Sequence, residues 1–276
     1  MAHGERGARA RGVQGRVTFP RLIAVTTTLV VFTVLLGVAT KATGAGLACQ
    51  ARWPVCDGGF LNLFPQSFPS FFEWIHRVVA GVAGVAILGT GWLAWRGGAT
   101  RRVRWAVTIG TLLLPVQVLL GRETVLTYEI PILAAHFWVA FTIFASFTAA
   151  TVTTWRPALT PGRLQVIAAT GAVLVPAQVL LYPPFVTGLT PPVQTLQYAV
   201  TLAAFMAAIA VGVAAREYLD GRLATVALAL PVLHPLVVLA GRQLLDPSGP
   251  VFTAYTLVAA ALAGGLLWVA LRVDRR

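Results

Sequence analysis

Charge is what this sequence has least of: only 11% of its 276 residues are Asp, Glu, Lys or Arg, and just nine residues are acidic. A soluble domain usually carries about 25% charged residues. That scarcity excludes an ordinary water-soluble enzyme, a coiled coil and a disordered chain. The period-2 alternation of a barrel strand is also missing. In their place the chain is 57% hydrophobic, with a mean hydropathy of +0.79. The class these values define is an integral membrane protein.

A hydrocarbon core of about 30 Å needs roughly 20 helical residues. Eight runs meet that requirement: 22–43, 72–95, 105–120, 131–155, 164–182, 194–215, 223–240 and 251–271. The third and seventh are short and carry Pro115 and Pro235. Helices are required, because lipid offers no partner to an unpaired backbone group. Arginines ahead of the first run and small residues at 45–48 imitate a cleaved signal peptide. The apolar run is too long for a signal core, and a retained first span is expected.

Net charge is +12, which in a soluble protein would suggest nucleic acid. Topology absorbs it instead. Eight spans put both termini on one side, and of 21 basic residues only Lys41, Arg52, Arg77, Arg122 and Arg242 fall on the other. Cytoplasmic segments collect Lys and Arg, so both termini are expected inside, with 1–21 a basic cytoplasmic tail. No nucleic-acid partner is expected; the lipid bilayer is.

The chain divides at a connection spanning 157–163 into two groups of four helices, 22–156 and 157–276. Pro115-Val-Gln-Val-Leu-Leu-Gly121-Arg122 matches Pro235-Leu-Val-Val-Leu-Ala-Gly241-Arg242, with Pro, Gly and Arg in register. Two apolar helices can match by chance, but the shared spacing and equal span count favour a duplication. Four spans separate the copies, so the repeats would run parallel about an axis along the membrane normal. The expected fold is all-α: two tandem four-helix bundles.

His76 and His136 each sit a few residues inside the external end of a span. Those spans run the same way, so the two imidazoles can oppose one another at one depth, as axial ligands of a b-type heme do in a bundle core. The alternative is a pair of buried, hydrogen-bonded histidines. Glu73 lies three positions before His76, on the same helix face. It is either a carboxylate beside a heme edge, with a protonation responsive to the site, or an acidic residue favoured by the helix dipole. Arg77 and Arg122 suit heme propionates or simple interfacial anchoring. Cys49 and Cys56 share one loop on the oxidising side, which argues for a disulfide over a redox relay. Closing so small a ring contributes about 2–3 kcal/mol. Trp53, Phe60, Phe64, Phe68 and Phe71 in that region either cap a site or form an interfacial belt.

These segments resemble the heme A synthase family, membrane enzymes that convert heme O to heme A. The likeness is carried by Gly37-Val-Ala-Thr-Lys41-Ala-Thr-Gly44-Ala-Gly46-Leu-Ala-Cys49 and by Trp53-Pro54-Val-Cys56. It continues in Glu73-Trp-Ile-His76-Arg77-Val-Val-Ala-Gly81 and Ala134-Ala-His136. The resemblance implies an eight-helix protein of two halves, each able to hold heme between two histidines, with catalysis in the first. His76 and His136 would then ligate the iron of the substrate, Glu73 would be the catalytic carboxylate, and the cysteines would form a loop disulfide. The implied reaction oxidises a heme methyl to a formyl through hydroxylated intermediates, with water as oxygen source. It also implies a plasma-membrane enzyme of cytochrome oxidase assembly. Its expected partners are a heme O synthase, an electron acceptor such as a quinone, and a second copy in a homo-oligomer.

The second half departs from that pattern. Through the repeat, Tyr198 takes the place of His76, and Tyr255, after one gap, that of His136. The implied heme b site there is expected to be empty, although Tyr can ligate heme iron. His234 lies about two turns inside Arg242 and is expected to make a polar helix contact. Two other functions compete: a b-type electron carrier with a permanent heme, and a transporter of a hydrophobic molecule.

Overall fold

The computed structural model describes residues 18–49, 51–56, 64–182, 185–186, 188–242 and 249–273. Most of the expected basic tail, and Phe60, lie outside these residues. Among the described residues eight helices are each long and apolar enough to cross a membrane: α1 Phe19–Ala42, α2 Phe68–Arg96, α3 Arg101–Leu126, α4 Ile130–Thr154, α5 Pro161–Leu180, α6 Pro191–Tyr218, α7 Gly221–Arg242 and α8 Pro250–Arg272. No strand occurs among the described residues. The protein is a multi-pass, all-helical membrane protein.

Helix starts follow local chemistry. Ser67, Thr100 and Thr160 cap α2, α3 and α5 by accepting from the backbone N–H three residues on. Proline occupies the first turn of α1, α2, α4, α5, α6 and α8, where its missing N–H costs nothing. The short third and seventh runs are extended by polar ends: α3 begins at Arg101 and continues past Gly121 to Leu126. Pro115, Pro231 and Pro235 sit inside continuous helices, as membrane packing permits.

α1 and α3 each pack on α2 and α4; α5 and α7 each pack on α6 and α8; α6 also meets α1 and α4. Long apolar side chains such as Val85, Leu112, Val173, Val232 and Leu257 face outward, each more than 60% exposed, the reverse of a soluble protein. Inside, helices are joined by hydroxyl pairs: Thr26 to Thr90 at 2.8 Å links α1 to α2, and Thr27 to Thr151 at 2.7 Å links α1 to α4. Such bonds are typically worth about 0.6 kcal/mol in lipid, so close packing carries most of the cohesion. α6, with its buried Ala204, Ala207, Ala208, Ala210 and Ala214, is thin enough to lie at the centre.

Candidate active site

The site is built at the end of the molecule where α1 closes and α2 opens, here termed the loop end. Gly44 turns the chain with φ +71°, in the left-handed region, which glycine enters without a Cβ penalty. Gly46 lets Tyr128 approach: a Cβ there would stand 3.2 Å from its ring. Cys49 and Cys56 form the expected disulfide and are both buried. Ser70 Oγ donates to the Ala48 carbonyl at 3.0 Å, tying the first turn of α2 to the same loop. Replacing Cys49 with serine should lower stability by about 2–3 kcal/mol, read as melting in detergent. An unchanged transition would contradict a structural role.

Glu73 is 6% exposed and lies in the second turn of α2, which starts at Phe68. It is past the four orphan N–H groups of the helix start, so the dipole does not account for it. Its Oε1 accepts from Arg77 Nε at 2.8 Å. The Nη1 of Arg77 donates to the carbonyls of Arg52 at 2.9 Å, Pro54 at 3.3 Å and Val55 at 3.0 Å. Arg77 therefore holds the buried carboxylate and fastens the disulfide loop over it, work that offsets the cost of burying a charge. Arg122, the other arginine expected at propionates, pairs with Glu123 at 2.5 Å on a half-exposed surface.

His76 and His136 line one cavity of about 930 Å³ together with Glu73, and His136 is within electrostatic reach of His76. A glycine on the neighbouring helix backs each ring. A Cβ on Gly37 of α1 would lie 3.0 Å from His76 Cε1, and one on Gly121 of α3 would lie 3.1 Å from His136 Cε1. The Nδ1 of each ring is buried without a hydrogen-bond partner. Gln117 Nε2 stands 3.2 Å from His136 Nε2. Each imidazole thus has one hydrogen-bonding neighbour, the Thr33 backbone for His76 and Gln117 for His136, and one buried ring nitrogen left without a partner. A volume near 900 Å³ is at the upper end of small-molecule sites.

The cavity continues into the second half, where Gln178, Tyr198, Arg242 and Tyr255 line it. The Tyr198 hydroxyl accepts from Arg242 Nη1 at 2.9 Å, and the Arg242 guanidinium lies 4.0 Å over the Phe137 ring. Tyr255 is buried against Gly241, which a Cβ would bring to 3.3 Å of its ring. His234 is fully buried against the Thr201 backbone of α6, and it stacks on Phe205 at 5.0 Å. Of the loop aromatics, Trp53 lines the cavity. Phe64 and Phe71 instead contact Trp74 and remain exposed, as does Phe68, which suits an interfacial belt.

The sequence gives Gly37, Lys41, Gly121 and Arg242 only as motif or repeat residues and does not single out Gln117, yet all five line the cavity. The shared Gly-Arg ends of α3 and α7 were a signal for two of these, because a glycine beside a ligand position marks close approach.

No family model matches the chain. Among curated proteins, a heme A synthase of Bacillus pumilus is 36% identical over 131 residues, 46% of this chain and 42% of that protein. A heme A synthase of Bacillus licheniformis is 32% identical over 125 residues, 44% of this chain and 40% of that protein. A protoheme IX farnesyltransferase of Halobacterium salinarum is 43% identical over 117 residues, 42% of this chain and 26% of that protein. The matches thus span between a quarter and about two-fifths of the length of these relatives. The resemblance read from the motifs is borne out: over somewhat less than half its length, this chain is similar to the heme A synthases.

Proposed function

We propose that the protein is a heme A synthase, which oxidises a methyl group of heme O to the formyl of heme A. One observation carries the reading: two imidazoles with unspent nitrogens, each backed by a glycine, share a large cavity with a buried carboxylate. His76 and His136 would hold the iron of the substrate from opposite faces. Bound heme supplies the electron chemistry. Each two-electron oxidation takes a methyl and one water to a hydroxymethyl, releasing two protons and two electrons. A second turn gives a gem-diol, which loses water to leave the formyl. A two-electron acceptor such as a quinone takes the electrons.

Glu73 performs the step this chain can perform. A carboxylate facing the methyl stabilises positive charge developing there and accepts a proton as water adds. Arg77 keeps it oriented. The disulfide loop is fastened beside it by the same arginine, and Trp53 from that loop lines the cavity.

The second half reads as a duplicated copy that has lost its ligands. The Gly241–Tyr255 contact occupies the place of the Gly121–His136 contact, and α6 reproduces the length of α2 to within one residue. Tyr198→Phe should therefore leave the heme spectrum unchanged, and a lost heme signal would mean that the second half is occupied. The distribution of arginines supports cytoplasmic termini and an external loop end, and the resemblance to the heme A synthases supports the plasma membrane.

The farnesyltransferase match leaves about three-quarters of that protein without a counterpart here, so its name transfers less than the synthase name. Co-expression with a heme O source and extraction of the pigments tests the proposal. Heme A accumulating only when this chain is present is expected; unchanged heme O would refute it.

A further inference from the structure

The two halves meet at the cavity through a pair of cations. Lys41, in the last turn of α1, and Arg242, the last residue of α7, both line it and are within electrostatic reach of each other. Among the described residues the ion pairs are Arg77–Glu73, Arg122–Glu123 and Arg156–Glu217, so neither cation meets a carboxylate. Like charges converging on a largely apolar cavity repel and lose hydration. An acidic ligand would relieve both costs.

Their placement is specific. Phe137 follows His136 on α4, and the guanidinium of Arg242 is held over its ring while donating one hydrogen bond to Tyr198. Arg carries five donors in a fork that fits carboxylates, so most of its capacity remains. Lys41 stands one turn beyond Gly37, the residue that backs His76. Four helical residues rise about 6 Å, which sets Lys41 above the imidazole layer at the loop end, while the Arg242 guanidinium stands beside that layer, against Phe137.

We propose that Lys41 and Arg242 clamp the two propionate carboxylates of the porphyrin substrate, and so decide which methyl group meets Glu73. This rests on the heme A synthase reading. Of the arginines expected from the sequence to make that contact, Arg122 pairs with Glu123 and is absent from the cavity lining, while Arg77 is held by Glu73 and loop carbonyls and keeps only Nη2 without a partner. In heme O the methyl that becomes the formyl shares its pyrrole ring with one propionate. Drawing the carboxylates toward the loop end brings that edge toward Glu73, which precedes His76 by three residues on the same side. The degenerate half thereby contributes a substrate-binding arginine to the catalytic half.

The test titrates purified full-length protein with ferric protoheme and with its dimethyl ester, following the low-spin absorption of two-imidazole ligation. The unaltered protein should bind the dicarboxylate about tenfold or more tightly than the diester, the scale of charge-assisted hydrogen bonds. Lys41→Gln and Arg242→Gln should each remove most of that preference without changing diester affinity, and Arg242→Lys should restore part of it. Equal preference in the variants, or none in the unaltered protein, overturns the clamp and leaves the histidine site standing. No low-spin spectrum with either porphyrin overturns the heme site and the clamp together. Lys41 lies at an exposed helix end, so its variant keeps the test available if Arg242→Gln does not fold.

Discussion

Replacing His76 with alanine is expected to remove the low-spin heme spectrum from the purified protein and to abolish formyl product. His76 and His136 come from α2 and α4, and the cavity offers no third histidine among its lining residues. Loss of a residue that merely orients a ligand typically costs 10–100-fold in metal affinity; loss of the ligand should exceed about a hundredfold. Gln117, already against His136, cannot substitute from the far side of the porphyrin. His136→Ala should behave alike. Retention of an unaltered spectrum in either variant, measured by absorption titration, would remove the ligand assignment.

Glu73→Gln should leave heme bound and lower the rate of heme A formation by about 10²–10⁴-fold, the range for a positioned proton acceptor. The amide keeps the size of the side chain and can still lie beside Arg77, whose three carbonyl contacts hold the loop. What it removes is the negative charge and the proton-accepting oxygen. Heme content and product formation, measured on one preparation, separate the possibilities. A normal rate would refute the assigned role, and loss of heme would make Glu73 a structural anchor.

All eight helices are legible as apolar runs, because bilayer thickness dictates both their length and their composition. Their ends are less so: the apolar stretch of α3 predicts 105–120, while the helix extends from Arg101 to Leu126. Its capping threonine and its arginines continue the helix into zones where hydropathy says nothing. His76, His136 and Glu73 stand out in the sequence because polar groups are rare in a span and expensive there. The orientation of Arg77 was not legible, since it depends on where the disulfide loop folds back. Nor was the convergence of Lys41 and Arg242, which lie 201 positions apart and meet only because α6 docks the two halves together. Gly121 is marked in the sequence by the repeat, but that it and Gly37 back the two imidazoles shows only once the rotation of each helix is known.

The central claim is most directly tested by the number and type of hemes per chain in the purified protein, with the spectrum of their iron. One exchangeable heme O or heme A per chain, low-spin with two imidazole ligands, is the predicted result. Two hemes per chain, or one protoheme that survives loss of both His76 and His136, would contradict it.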